Sequence, residues 1–399
     1  MSPRSFSLIM STSLAILCGS AHAEPLATIN SEQSGAAAWV TAYFATNWTE
    51  GYSWGITSDS VPFTQEVLRQ LNVATTPAAL RAMPAGLTLP CSNGGNMTVR
   101  MTRGIPRMLN VEWTNCQLQR WNRLQVLTGP GQIALIEDNF KPTHVAAISL
   151  GSPGRDLVMP FHDDFTEEVH DTVISRNVRM IGIIPVSTDY LPEGSTTSTY
   201  QVSGVRHEVT DIVFTAPGRG PEHHESHSYL KNGLLNLVSH WANDYFYTDD
   251  DSRYLLGDFT TTTMDPYSGT QTIRWSVDNL RIRRVTDFAN WSGNYSYDGA
   301  FKWTWGPPAS AGCLSGRFAL RTKSPFTIPS LDDSGTTDSG ELAINGGAAT
   351  FKTYSATTVP PGLPIPTRGL LSMNVRSVGT FNYDQAAFPE PVRVASQCQ

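Results

Sequence analysis

From residue 91 onward, apolar and polar residues alternate at a period of two, broken at short intervals by Gly, Pro, Asn or Asp. This pattern marks strands joined by turns. The runs fall at 97–102, 108–115, 132–137, 145–150, 178–186, 199–205, 209–215, 272–278, 280–285, 317–322, 341–344 and 348–354. Residues 24–90 read differently. Phe63, Val67, Leu68 and Leu71 are spaced along one helical face, which predicts a helix from Pro62 to Leu71 with Asp59 or Ser60 as its cap. Ala78 to Met83 reads as a further helical turn. The expected fold is therefore mainly β: consecutive antiparallel hairpins forming a sandwich or a long curved meander, preceded by a few short helices.

Two turn sequences sharpen this. In WSGNYSYDGAFKWTW, a loop at Tyr297-Asp298-Gly299 predicts a hairpin pairing Tyr295 with Phe301 and Trp291 with Trp305. In GELAINGGAATF, a turn at Asn345-Gly346 predicts that Leu342 faces Ala349 and Gly340 faces Phe351. Residues 228–247 are ambiguous. Leu230, Leu234, Leu237, Val238, Trp241 and Tyr245 fit a helix face, whereas Asn232-Gly233 and the β-rich surroundings favour strand, which is the expectation here.

Residues 91–116 (CSNGGNMTVRMTRGIPRMLNVEWTNC) carry a cysteine at each end. Pairing the apolar faces Met97/Val99/Met101 and Leu109/Val111/Trp113 places Val99 opposite Leu109 and leaves the cysteines one residue out of register. A bulge near Gly94-Gly95 would restore them, making the segment a stapled hairpin. No C-x-x-C spacing is present, so a zinc knuckle or thioredoxin-like redox centre has no support.

The N-terminus has the layout of a secretory signal peptide: Arg4, an apolar stretch from Leu8 to Leu17, and Ala21-His22-Ala23 before Glu24. Leu17 before Cys18 is too large for the lipoprotein alternative. Cleavage after Ala23 leaves Cys91, Cys116, Cys313 and Cys398, an even set that predicts disulfides in an exported chain. With Cys91 joined to Cys116, elimination pairs Cys313 with Cys398. The expected organisation is a signal peptide at 1–23, a segment with short helices at 24–90, a β-rich region at 91–285 and a C-terminal hairpin region at 286–399, with 91–399 as one continuous domain the alternative. The loss of Arg4 takes the net charge from −7 to −8. An acidic chain without a basic run gives no reason to bind nucleic acid. No apolar run in the mature chain is long enough for a membrane helix. An outer-membrane barrel is the less favoured alternative, because the chain ends in Ser396-Gln397-Cys398-Gln399 rather than an aromatic-ended strand.

Candidate chemistry lies in three places. The segment GRGPEHHESHS reads first as a solvated loop, and its close imidazoles make His223, His224 and His227 the candidate metal ligands. FHDDFTEEVHD (residues 161–171) gathers His162, Asp163, Asp164, Glu167, Glu168, His170 and Asp171, without the spacing of a zinc-protease helix or a calcium loop. Asp249-Asp250-Asp251 reads as a solvated turn, with calcium binding as the lesser option. The third place is aromatic: Trp291, Trp303 and Trp305 are the candidate glycan platform, although regular alternation puts them on one face with Tyr295, Tyr297 and Phe301, as a core face would be. No nucleophile elbow, Walker loop or dinucleotide-binding glycine pattern is present.

Cys91, Gly94, Asn115 and Cys116, followed by Cys313, Ser315, Gly316, Thr322, Pro325, Ser339, Gly340, Leu342, Ile344 and Gly346, resemble the pattern of a group of uncharacterised exported proteobacterial β-rich proteins. The resemblance implies a bacterial cell-envelope β-protein and supplies no catalytic residues. The expectation is a periplasmic or extracellular protein with a non-catalytic binding or structural role. A glycan or another envelope component would be the partner, and no cofactor is expected. The alternative is a secreted hydrolase or metalloprotein using a divalent metal at the His/acid clusters of 162–171 and 222–227.

Overall fold

A computed structural model describes residues 24–384 apart from 75–85, 103–105, 121–122, 137–139, 165–167, 187–193, 215–221, 243–246, 266–268, 288, 290–291, 306–313, 329–338, 356 and 364–368. The proposed signal peptide, Trp291, Cys313 and Cys398 lie outside the described residues.

The fold is mainly β and is a meander of antiparallel hairpins, as the alternation predicts. One sheet holds seventeen strands. The first six are β1 (Leu87–Pro90), β2 (Asn96–Met101), β3 (Arg107–Arg120), β4 (Arg123–Leu135), β5 (His144–Leu150) and β6 (Leu157–Asp164). Then come the long strands β7 (Glu168–Pro185), β8 (Gly194–Phe214), β9 (Glu222–Ala242), β10 (Tyr247–Asp265) and β11 (Gly269–Asp287). The series closes with β12 (Ser292–Trp305), β13 (Gly316–Ile328), β14 (Ser339–Ile344), β15 (Ala349–Ser355), β16 (Gly369–Val375) and β17 (Gly379–Asp384). Each strand pairs with its sequence neighbour except at one place. β5 and β6 lie end to end between β4 and β7, acting as one strand interrupted at Gly151–Asp156.

The helical turn expected at Ala78–Met83 lies outside the described residues, among which there is one α-helix, the continuous α1 (Glu32–Ala74). Ser31 caps it, its hydroxyl accepting from the Ser34 N–H at 3.1 Å. The expected start at Pro62 is interior: Pro62 lies inside α1, and the Ser60 carbonyl accepts from the Thr64 hydroxyl. The sequence hides this helix because the sheet surrounds it. Trp39 meets Phe351 of β15 and Phe326 of β13, Phe63 meets Trp113 of β3, and the Thr49 carbonyl accepts from the Tyr254 hydroxyl of β10. A helix covered on many sides needs no polar face, so its periodic signal fades. Its buried Thr41, Thr46 and Thr49 bond the carbonyls of Ala37, Ala42 and Ala45 within the helix itself.

Residues 91–116 are stapled, but in a different register. Val99 faces Val111 and Met97 faces Trp113. Cys91–Gly95 is the turn between β1 and β2, with Gly94 and Gly95 both in positive-φ conformations. The bulge sits across from it, at Asn115 (φ 46) in β3. The two irregularities interlock: a Cβ on Gly95 would fall 1.8 Å from the Asn115 carbonyl oxygen. The disulfide joins Cys91 to Cys116 with their Cα atoms 5.5 Å apart.

Three other expectations are revised. WSGNYSYDGAFKWTW forms no hairpin: residues 292–305 are the single strand β12. Gly299 serves instead as the point where β11 bulges against β12, a Cβ there falling 2.2 Å from the Asn279 carbonyl oxygen. The Asn345-Gly346 hairpin exists, but Leu342 faces Phe351 and Ile344 faces Ala349, two residues from the expected register. The ring over Gly340 belongs to Phe326. Residues 222–227 and 249–251, read as loop and turn, are parts of β9 and β10.

Glu66 fastens the helix to the stapled turn. Its carboxylate accepts from the Ser92 N–H and hydroxyl and from Arg69 and Gln70. Burial pushes its pKa up, but these donors outweigh burial and hold it below the usual glutamate value. A depressed carboxylate pKa adds stability above its unfolded value, and this is lost as pH falls through the folded one. Glu66→Gln should therefore cost about 2 kcal/mol at neutral pH. In urea titrations the gap from wild type should close as pH drops below the ordinary glutamate value of 4.5. Replacing both Cys91 and Cys116 by Ala should cost about 3 kcal/mol in the same measurement.

Candidate binding surfaces

Strand alternation sorts the sheet into an inner face around α1 and an outer face. On the outer face, register aligns Arg100, Asn110, Gln132, Ser149, Arg179 and Gln201 in one row across β2, β3, β4, β5, β7 and β8. At about 4.8 Å per strand the row spans roughly 24 Å. Their neighbours Val99, Leu109, Val111, Ile133, Ile148, Val178 and Tyr200 are buried on the inner side. The six side chains therefore point outward by the pleat, not by chance of loop conformation.

The row runs through a trough of about 610 Å³. One bank is the interruption between β5 and β6. Asn177 donates to the Ser152 carbonyl at 2.6 Å, the Gly151 N–H donates to the Pro130 carbonyl at 2.8 Å, and Ser152 and Arg155 exchange backbone bonds. Arg155 also forks onto Glu112, with contacts of 2.6 and 3.2 Å. Within the row, Gln132 donates to Asn110 at 2.7 Å. Arg100 and Arg179 are exposed and have no ion-pair partner among the described residues. With Glu112 matched by Arg155, the trough is locally positive on a chain of net charge −7.

The inner face holds a second opening, about 240 Å³, between Val61 of α1 and strands β7 to β11. Its walls are Met180, Ile184, Leu235, Leu237 and Ile282, and its polar lining is Thr196, Ser198, Tyr200, Ser239, Asp250, Ser252 and Arg284. Asp250 accepts from the Ser239 hydroxyl at 2.5 Å and faces Arg284 across the β10–β11 pair. Burial raises the Asp250 pKa above the usual aspartate value, opposed by Ser239 and Arg284. Burial also lifts the Tyr200 phenol to about 12, so it remains a neutral donor.

The run Asp249-Asp250-Asp251 is thus divided by the pleat. Asp249 pairs with Arg283 at 2.8 Å and Asp251 with Arg281 at 2.6 Å on the outer side, while Asp250 turns inward. Ion-paired carboxylates are poor calcium ligands.

The candidates named from sequence fare differently. Trp303 is fully buried and cannot offer a ring to a sugar, which corrects its assignment as part of a glycan platform. Trp305 is half-buried, with its ring 5.6 Å from that of Trp303. Trp291 lies outside the described residues. His223, His224 and His227 lie on β9, where His227 is half-exposed and 3.5 Å from Glu225. The two His/acid clusters, distant in sequence, meet in the register: Asp163, His170, Ile212 and His224 form one backbone row across β6 to β9. His162 and Asp171 pair in the next row, continued by Asp211.

Neither opening was visible in the sequence. The trough residues are the unremarkable polar partners of six alternating strands, and only register joins them. The pocket did leave a trace: Thr196, Ser198, Ser239, Asp250 and Ser252 put polar groups on the face that alternation assigns to the core.

Trp303→Ala should lower stability by about 3–5 kcal/mol in urea denaturation, as expected for a core ring and not for a binding residue. Comparison with protein-family models, curated proteins and solved structures finds no match for this chain.

Proposed function

We propose that this is an exported, non-catalytic binding protein of the bacterial envelope or extracellular space, and that its outer trough holds an extended acidic glycan. The observation that carries the reading is the six-strand polar row. Asn110, Gln132, Ser149 and Gln201 supply the donors and acceptors that hydroxyl groups need. Arg100 and Arg179 supply fixed cations suited to carboxylate or sulfate groups. A regular row perpendicular to the strands suits a linear polymer better than a compact ligand. A local positive field on an acidic protein also favours encounter with anionic chains.

Titration of the mature chain with oligogalacturonate should give binding that weakens as salt rises. Arg100→Ala and Arg179→Ala should each weaken it about tenfold, or ~1.4 kcal/mol. A neutral cello-oligosaccharide should bind less well than oligogalacturonate. Equal binding by the double variant and wild type would remove the trough from consideration.

The convergence of the two His/acid clusters at one end of β6–β9 favours a second reading, a metalloprotein. On that reading, zinc remains stoichiometric after exhaustive dialysis and is lost in His170→Ala and His224→Ala. Protein that dialyses free of metal excludes it.

A further inference from the structure

The pocket between α1 and β7–β11 combines two features that a core does not need. The first is a bank of hydroxyls, Ser198, Tyr200, Ser239 and Ser252, together with Asp250 and Arg284, in walls that are otherwise aliphatic. A core position filled for packing alone would carry apolar groups, since polar groups removed from water cost free energy unless fully bonded. The second is empty space. At roughly 30 Å³ per water, the cavity is room for about eight waters or one small organic molecule.

Its charges define what fits. Asp250 and Arg284 are register partners on adjacent strands, so the lining carries one acidic and one basic group. The Arg284 guanidinium also bonds the Thr286 hydroxyl at 3.2 Å and stands 5.7 Å from the centre of the Tyr295 ring. Asp250 has one oxygen bonded to Ser239, and its other oxygen has no hydrogen-bond donor among the described residues. An entering ammonium or carboxylate would leave one charge of the pair uncompensated at a half-buried site. A neutral head that both donates and accepts can instead bond the Asp250 oxygen and a serine hydroxyl together. The aliphatic walls of Met180, Ile184, Leu235, Leu237 and Ile282 take the apolar remainder.

We propose that this pocket is a binding site for a small, neutral amphipathic molecule, an alcohol-headed aliphatic chain, held head-first at Asp250 and Ser239. It lies on the sheet face opposite the trough and does not depend on the trough's role.

The test uses the full mature chain with 1-octanol, octanoate and octylamine as matched probes, followed by calorimetry. Octanol should bind at least tenfold more tightly than either charged probe. Asp250→Asn removes the carboxylate that repels an entering anion and should improve octanoate binding at least tenfold. Leu237→Trp fills the cavity and should abolish octanol binding; if it does not fold, Ser252→Leu serves the same purpose. Arg179→Ala should leave octanol binding unchanged, separating this site from the trough. Failure of octanol to bind, equal affinity for the three probes, or octanoate binding unchanged by Asp250→Asn would overturn the proposal.

Discussion

The fold rests on burial of α1. A single sheet has two faces and can bury the inner one only against something else, and here that something is one helix of 43 residues. Phe63, Val67, Leu68 and Leu71 at its C-terminal end share a hydrophobic cluster with Met97, Val99 and Trp113, while Trp39 near its start meets β13 and β15. The sheet is curved because its strands reach the same cylinder from different directions. Without the helix, the buried Trp113, Trp275, Phe301, Trp303 and Phe351 would have no common surface to pack around.

Curvature in turn explains the irregularities. A flat antiparallel ladder does not wrap tightly, so bulges at Asn115 and Asn279 bend the strands, and each is met by a glycine that allows close approach. Gly95 answers Asn115 and Gly299 answers Asn279. These pairs link distant parts of the sequence through backbone contact alone. The break at Gly151–Asp156 has another result: by stepping out of the sheet, it raises one bank of the outer trough.

Much of this was legible and some could not have been. Alternation located most of the strands, because each has one buried face. It misjudged their lengths, since Asn279 and residues 206–208, read as breaks between strands, lie inside β11 and β8. The same ambiguity produced the false hairpin at Tyr297-Asp298-Gly299. Cys91 and Cys116 were correctly joined, yet the register between them was two residues off, because the four residues Ser92–Gly95 turn back on β1 rather than bulge within β2. The binding surfaces were least legible. Arg100 and Arg179 become neighbours in a row only after four intervening pairings, and no local pattern encodes that.

The tie between Glu32 and Tyr383 has a consequence in time. The Tyr383 hydroxyl donates to a carboxylate 351 residues earlier in the chain, and Gly35 packs beneath Met373 and Val375. A helix made early is therefore completed by a strand made 351 residues later. During synthesis α1 exists long before β15 to β17 can cover it, and its apolar sides must stay shielded through the interval. So late a closure leaves early intermediates exposed to aggregation. The stapled turn at Cys91–Cys116 forms early enough to help: bonded to Glu66, it can anchor one end of the helix while the rest of the sheet is still arriving.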